Sequence, residues 1–220
     1  LVLFLSKFKE HGWEVLGTDI SEDVSKYARE VLEVNTLIGE LKNLRLPRNY
    51  YDFVSLLSVL EHVYSPRKTL RKIRILIKES GLLVIVIPNA EGLGKSIYGK
   101  NWVQLQPARH LYLFTPKTIK RLLEEEGFKV LKIKHSYWEH NFYSHYQSIR
   151  LSFSRKFKKK KSGGLLKGNL ESVTVSSEYS IKNEIEKLLA KTFSMIITIV
   201  GQVIRRGEII AIYAKKTEKN

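Results

Sequence analysis

Six consecutive apolar residues, Leu82 to Ile87 (LLVIVI), constrain this chain more than any other feature. A near-continuous run of branched aliphatic residues suits a strand covered on both faces. Gly81 before it and Pro88-Asn89 after it punctuate the run. A strand of this kind needs neighbours in one sheet and helices on either side, which is an α/β architecture. A second apolar run, Phe53, Val54, Leu56, Leu57, Val59 and Leu60, fits the same sheet and ends abruptly at Glu61 and His62. Ser65 then offers an N-cap hydroxyl and Pro66 a first helical residue. Ligands in open α/β sheets bind outside the carboxyl ends of the strands, so Ser58 to His62 are expected to line a pocket.

The other elements follow in order. Leu3, Phe4, Leu5 and Phe8, closed by Gly12, read as an amphipathic helix, although Leu1 to Leu5 alone could pass for a strand. Glu14 to Ile20 reads as a strand ending at Asp19. Ser21 caps a helix with Val24, Ala28, Val31 and Leu32 on one face. A short strand is expected over Asn35 to Ile38, ending near Gly39-Glu40. After Pro66, Leu70, Ile73 and Leu76 or Ile77 lie opposite a row of Lys and Arg, and Gly81 closes the connection. Thr115-Pro116 opens a helix that stops at Gly127, Phe128 to Ile133 is a strand, and Glu208 to Ala214 is the last one. Alternating strands and helices imply a mostly parallel sheet with right-handed crossovers. The exception is Ser136 to Gly207, a long insertion before the last strand. The expected divisions are therefore a core over 1–135, an aromatic, basic and helical insertion over 136–207, and the final strand with a basic tail over 208–220.

Length and composition narrow the function classes. With 220 residues and 43% apolar content, the chain can bury one core. The absence of cysteine excludes disulfides, thiol nucleophiles and thiolate zinc sites. Lys7, Lys9, Glu10 and His11 interrupt the first apolar stretch, so no secretory signal is read there. The net charge of +16 predicts attraction to polyanions. Arg155 to Lys161 (RKFKKKK) is its densest part. The helix expected over Leu188 to Ile204 contains Lys191, Thr192, Ser194, Thr198 and Gln202 and is shorter than the roughly 20 predominantly apolar residues of a spanning helix. Together the two suggest an anionic membrane surface as a partner. His135, His140 and His145 step by five residues and cannot share one helix face, so no metal is read from them.

Four segments carry a resemblance: GWEVLGTDIS at Gly12 to Ser21, YDFVSLLSVLEHV at Tyr51 to Val63, GLLVIVIPN at Gly81 to Asn89, and RHLYLFTPKTIKRLLEEEGF at Arg109 to Phe128. In that order and spacing the chain resembles class I S-adenosylmethionine-dependent methyltransferases, in the small-molecule branch that includes quinone-type O-methyltransferases. The resemblance implies a Rossmann-like fold, S-adenosylmethionine as cofactor and a small, lipophilic methyl acceptor. It places Asp19 and Ile20 at the cofactor ribose, Glu40 at the adenine amino group, Leu41 over the base, and Leu57 and Ser58 against the methionine portion. Glu61 and His62 would stand near the transferred methyl group, with His62 as base. Trp102, His110 and Tyr112 would line the acceptor pocket. No second metal ligand stands at readable spacing from Glu61. Base-modifying relatives carry an Asn/Asp-Pro-Pro-aromatic motif where this chain has Ser58 to His62, so no specific nucleic acid is expected. A cytoplasmic protein, peripheral on the inner membrane face, fits these features.

One departure stands out. The family opens with a strand and a glycine-rich loop, whereas Gly12 is the first glycine here and only eleven residues precede it. A strand, loop and helix need roughly 20 residues or more. The expectation is a core without its first strand and cofactor loop, as a fragment or a degenerate paralogue. Such a chain would hold half a pocket and bind cofactor weakly.

Overall fold

The computed structural model describes residues 2–106, 108–135, 137–162 and 177–217, with side chains over 3–106, 108–135, 137–153 and 184–217. Helix α1 (Val2–Glu10) precedes β1 (Gly17–Asp19), α2 (Glu22–Glu30) and β2 (Thr36–Ile38). Then follow β3 (Tyr51–Leu57), α3 (Pro66–Leu76), β4 (Ile77–Pro88), α4 (Leu93–Tyr98), α5 (Pro116–Glu125), β5 (Phe128–Lys134), α6 (Trp138–Ser162), α7 (Ser177–Val203) and β6 (Ile209–Lys216). Among the described residues the strands form two sheets, β1-β2 and β3-β4-β6-β5. β1 with β2 and β3 with β4 pair in parallel, while β6 lies antiparallel to both β4 and β5. Only β6 opposes its sheet, so the expected mostly parallel α/β fold holds.

The apolar runs explain the core. Leu83, Ile85 and Ile87 on one face of β4 are fully buried with Leu70 and Ile73 of α3, Ile119 and Leu123 of α5, and Ile210 and Ile212 of β6. Val84 and Val86 point to the opposite face, against Ile209, Ala211 and the partly buried Tyr137. Burial on both faces is what the uninterrupted run demands, and each such side chain contributes about 1.5 to 3 kcal/mol. Helix α5 is closed at its start by a reciprocal pair: the Thr118 N–H donates to Thr115 Oγ1 at 3.1 Å and the Thr115 N–H to Thr118 Oγ1 at 2.8 Å. Arg67 and Arg71 of α3 clamp the buried Glu126 at 2.8 and 2.7 Å and lock α3 to the end of α5.

Several local expectations change. β4 begins at Ile77 directly after α3, so Gly81 lies inside the strand. A Cβ there would stand 3.0 Å from the Tyr51 carbonyl oxygen, so the glycine permits close approach of β3. Ser65 makes no side-chain cap; its carbonyl accepts from the Thr69 N–H instead. Ser21 does cap α2, accepting from the Val24 N–H at 3.3 Å. The buried positions of α2 are Ser25 and Ala28, whereas Val24 and Val31 are exposed, because little packs over that side of the small sheet.

Among the described residues β1 has only β2 as a partner and β3 only β4, so each keeps one backbone edge unpaired by them. The Gly17 N–H donates to Asn35 and the Asp19 carbonyl accepts from Gly39, which turns the backbone groups of Thr18 away from β2. Between β1 and β3 runs a cleft of about 440 Å³ lined by Phe4, Phe8, Thr18, Leu41, Phe53 and Ile73. Phe8 stacks on Phe53 with centroids 5.5 Å apart and joins α1 to the larger sheet.

Helices α6 and α7 lie between β5 and β6 in the chain and pack on each other. Asn141 ties α6 to the sheet: its side-chain oxygen accepts from the Ile209 N–H at 2.8 Å and its amide donates to the His135 carbonyl at 2.9 Å. The side chains of Arg155 to Lys161 and the segment 163–176 lie outside the described residues. No described helix is long and apolar enough to cross a membrane.

Candidate active site

The apolar run of β3 ends at a distorted residue. Ser58 adopts φ +51°, a left-handed conformation that is uncommon for a residue with a side chain. Its N–H still donates to Val86 at 2.9 Å, so the turn is held against β4 while the chain leaves the sheet. Strain of this kind at a strand's carboxyl end is a recurring mark of functional loops. Leu60, fully buried, then anchors the loop and places Glu61 beside it.

A second segment, from Gln104 to Phe114, closes over this loop. The Glu61 carbonyl accepts from the Leu111 N–H at 2.8 Å and the Tyr112 N–H at 3.2 Å. The Tyr112 hydroxyl donates to the Tyr64 carbonyl at 3.1 Å. Asn89 at the end of β4 bridges to Phe114, so the segment is tied to two adjacent strand ends. His62 and His110 are thereby brought together, their ring centroids 4.8 Å apart. His62 Nδ1 lies 2.7 Å from the Arg109 carbonyl oxygen and His110 Nδ1 lies 2.8 Å from that of Gln104. A carbonyl only accepts, so each Nδ1 carries the hydrogen and each neutral ring keeps its lone pair on Nε2.

Glu61 is 1% exposed, and neither carboxylate oxygen has a hydrogen-bond partner. Burial pushes its acid up; its own backbone N–H and His62 only partly offset that. Burial also pushes the His110 imidazole down, with smaller contributions from His62 and Arg109 against the Gln104 carbonyl. The group is therefore a buried carboxylate and two imidazoles, with exposed His62 as its solvent side.

The other expected residues are placed as follows. Asp19 and Glu40 stand just at the carboxyl ends of the paired strands β1 and β2. Asp19 Oδ1 accepts from the Ser21 N–H at 2.8 Å, leaving its second oxygen for a ligand. Glu40 forms an ion pair with Lys42 at 2.5 Å, and Leu41 packs partly against the core. Ile20 is 76% exposed. Leu57 is the last residue of β3, before the Ser58 turn. Trp102 is buried, its indole N–H donating to the Glu208 carboxylate, so it supports the Gln104–Phe114 segment from inside instead of facing an acceptor.

Gln104 and Arg109, which orient the two histidines, act through their backbone carbonyls and leave no signature in side-chain chemistry. Glu208 likewise carries no site signature in the sequence, where it only opens the last strand. It is fully buried at the start of β6, accepts from the Gly94 N–H at 2.7 Å, and has burial raising its acid. His145 Nε2 lies 3.9 Å away, and burial pushes that imidazole down to about 4, so the pair is not ionic at neutral pH.

Comparison with known proteins gives a consistent result. A family defined as a methyltransferase domain matches residues 3–133. A curated relative, an uncharacterized protein of Methanocaldococcus jannaschii, is 24% identical over 117 residues, which are 53% of this chain and 57% of that protein. The chain thus spans little more than half the length of that relative. A solved SAM-dependent methyltransferase from Archaeoglobus fulgidus superimposes with a TM-score of 0.56 at 24% identity, covering 97% of this chain and 80% of the other. A SAM-dependent methyltransferase from Thermotoga maritima, described as a possible histamine N-methyltransferase, gives a TM-score of 0.55 at 17% identity, covering 97% and 76%. At these identities the structural likeness speaks to the fold.

Proposed function

Because the chain belongs to the methyltransferase-domain family, whose pattern spans residues 3–133, we propose that it serves S-adenosylmethionine-dependent methyl transfer to the oxygen of a small, lipophilic acceptor. The observation that carries this reading is the convergence of Glu61, His62 and His110 at the carboxyl end of β3, with Asp19 and Glu40 at the carboxyl ends of β1 and β2. The cofactor supplies a methyl group on a sulfonium, from which the sulfur leaves as a neutral thioether. Asp19 can accept hydrogen bonds from a ribose diol, and Glu40 from an adenine amino group. An acceptor hydroxyl must lose its proton as its oxygen takes the methyl group. His62, with its Nε2 lone pair on the solvent side, is the residue that can receive it.

Calorimetric titration of S-adenosylmethionine into the protein expressed from its gene tests the reading. Saturable binding, weakened about tenfold or more by Asp19→Ala, is expected, since a hydrogen bond to a charged group contributes about 1.5 to 3 kcal/mol. His62→Ala should leave that binding intact and slow methyl transfer by about a hundredfold. Absence of saturable binding, or binding indifferent to Asp19, would sink it.

A second reading rests on α7. Leu188, Phe193, Ile196 and Val203 of that helix are at least half exposed, an unpartnered apolar row on a strongly basic chain. Apolar burial plus cationic attraction is how a protein lies on an anionic bilayer, so a peripheral membrane location is part of the proposal.

A further inference from the structure

We propose that one face of the β5–β6 edge, built from Lys129, Lys132, Lys134 and Lys215, binds the phosphate backbone of a single-stranded nucleic acid without reading its bases. The strand pairing puts these residues together. Lys129 stands directly opposite Lys215, Lys132 opposite Tyr213 and Lys134 opposite Ala211, and directly opposed residues project from the same face of a sheet. Lys129 and Lys132 are three residues apart and would point to opposite faces of a regular strand. The register shifts between Val130 and Lys132, with Leu131 as the extra residue, and that shift turns both to one side. The three lysines of β5 therefore form a row with steps of about 7 Å, two residues of the opposing strand each.

All four side chains are exposed. Lys78 of β4 and Lys216 of β6 have acidic partners, Asp52 at 2.8 Å and Glu79 at 2.6 Å, whereas Lys129, Lys132, Lys134 and Lys215 form no ion pair among the described residues. Lysines on an edge strand can keep it from pairing with another chain. Lys215 does not fit that role, because β6 is an inner strand and a like charge directly opposite Lys129 weakens the ladder. A row of cations that repel one another, with no acid of the fold to relieve them, points to an anion from outside. Half-buried Tyr213 lies among them with Lys134 Nζ over its ring, 5.4 Å from the centroid, and Tyr137 packs on the same apolar cluster. Cations in line beside aromatic rings are how single strands are held, the phosphates on the cations and the bases against the rings. A bilayer calls instead for an exposed apolar row, which α7 carries.

Net charge alone draws a +16 chain to any polyanion, so the test removes equal charge from two places. One variant of the full chain combines Lys129→Gln, Lys132→Gln, Lys134→Gln and Lys215→Gln. The other combines Lys26→Gln, Lys68→Gln, Lys95→Gln and Lys117→Gln, which are also exposed. Binding of a labelled oligouridylate of about ten nucleotides is followed by fluorescence anisotropy across a range of salt. Losing four phosphate contacts should flatten the slope of log affinity against log salt by about 3 and weaken binding about a hundredfold or more at about 0.1 M salt. The second variant should change the slope by less than about 1. Lys129→Gln alone, which relieves the repulsion across the ladder, should fold at least as stably as the native chain and flatten the slope by about 0.7. Equal losses in the two fourfold variants, or an unchanged slope in the first, would overturn the proposal. Loss of binding to phosphatidylserine vesicles with oligouridylate binding intact would assign the face to a bilayer and overturn it as well. Neither cofactor nor acceptor takes part, so the outcome is independent of the methyl-transfer reading.

Discussion

At the scale of single residues, the molecule stores its unusual chemistry in buried groups that lack ordinary partners. His145 is 1% exposed, and neither ring nitrogen has a hydrogen-bond partner. Burial holds its pKa at about 4 against an ordinary 6.5, so the fold keeps it neutral while the unfolded chain takes up a proton. Its contribution to stability is complete above pH 6.5 and is lost as the pH falls towards 4. Chemical denaturation at pH 7.5 and 4.5 should show the native protein losing about 2 kcal/mol more than His145→Gln over that interval. Glu208, whose acid is raised by burial, pulls the other way, but it does so in both proteins and drops out of the difference. Equal losses would mean that the imidazole is not held neutral. None of this was legible from the sequence, where His145 stood only in an aromatic stretch. Glu61 and His62 were legible, because a charged pair directly after an apolar run marks a strand's end. The isolation of the Glu61 carboxylate was not, since it depends on which donors fail to reach it.

At the scale of elements, stability is unevenly shared. β4 is flanked by β3 and β6, packed on both faces, and buried at every residue from Leu83 to Pro88. β1 and β2 are three residues each, pair only with each other among the described residues, and border the cleft. The rings of Phe4 and Phe8 against Phe53 join α1, which precedes that pair, to the larger sheet. The β1–β2 pair should therefore open locally without unfolding the rest. Amide exchange is expected to be about a hundredfold faster at Gly17–Asp19 and Thr36–Ile38 than across Leu83 to Ile87. Uniform protection would show that the small sheet is locked to the large one. Helix starts were only partly readable. Ser21 and Thr115 cap as their positions suggest, but Ser65 turns its carbonyl instead of its hydroxyl to the helix.

At the scale of the whole molecule, charge and apolar surface act together. A chain of net charge +16 that also exposes Leu188, Phe193, Ile196 and Val203 on one helix should sediment with anionic vesicles and much less with neutral ones at low salt. Binding should weaken by about tenfold or more as salt screens it. Equal recovery with both vesicle types would remove the electrostatic part of the membrane reading. The sequence alone determined the α/β class, the order of the elements, the resemblance to methyltransferases, and the strand ends where Asp19, Glu40, Glu61 and His62 stand. Those follow from local periodicity and punctuation, which neighbouring residues encode. Tertiary structure decided which distant residues meet. It put His110 beside His62, buried Trp102 on Glu208, and aimed the Arg109 and Gln104 carbonyls at the two imidazoles. Such encounters depend on how a loop lies across two strand ends, and no spacing along the chain encodes that distance.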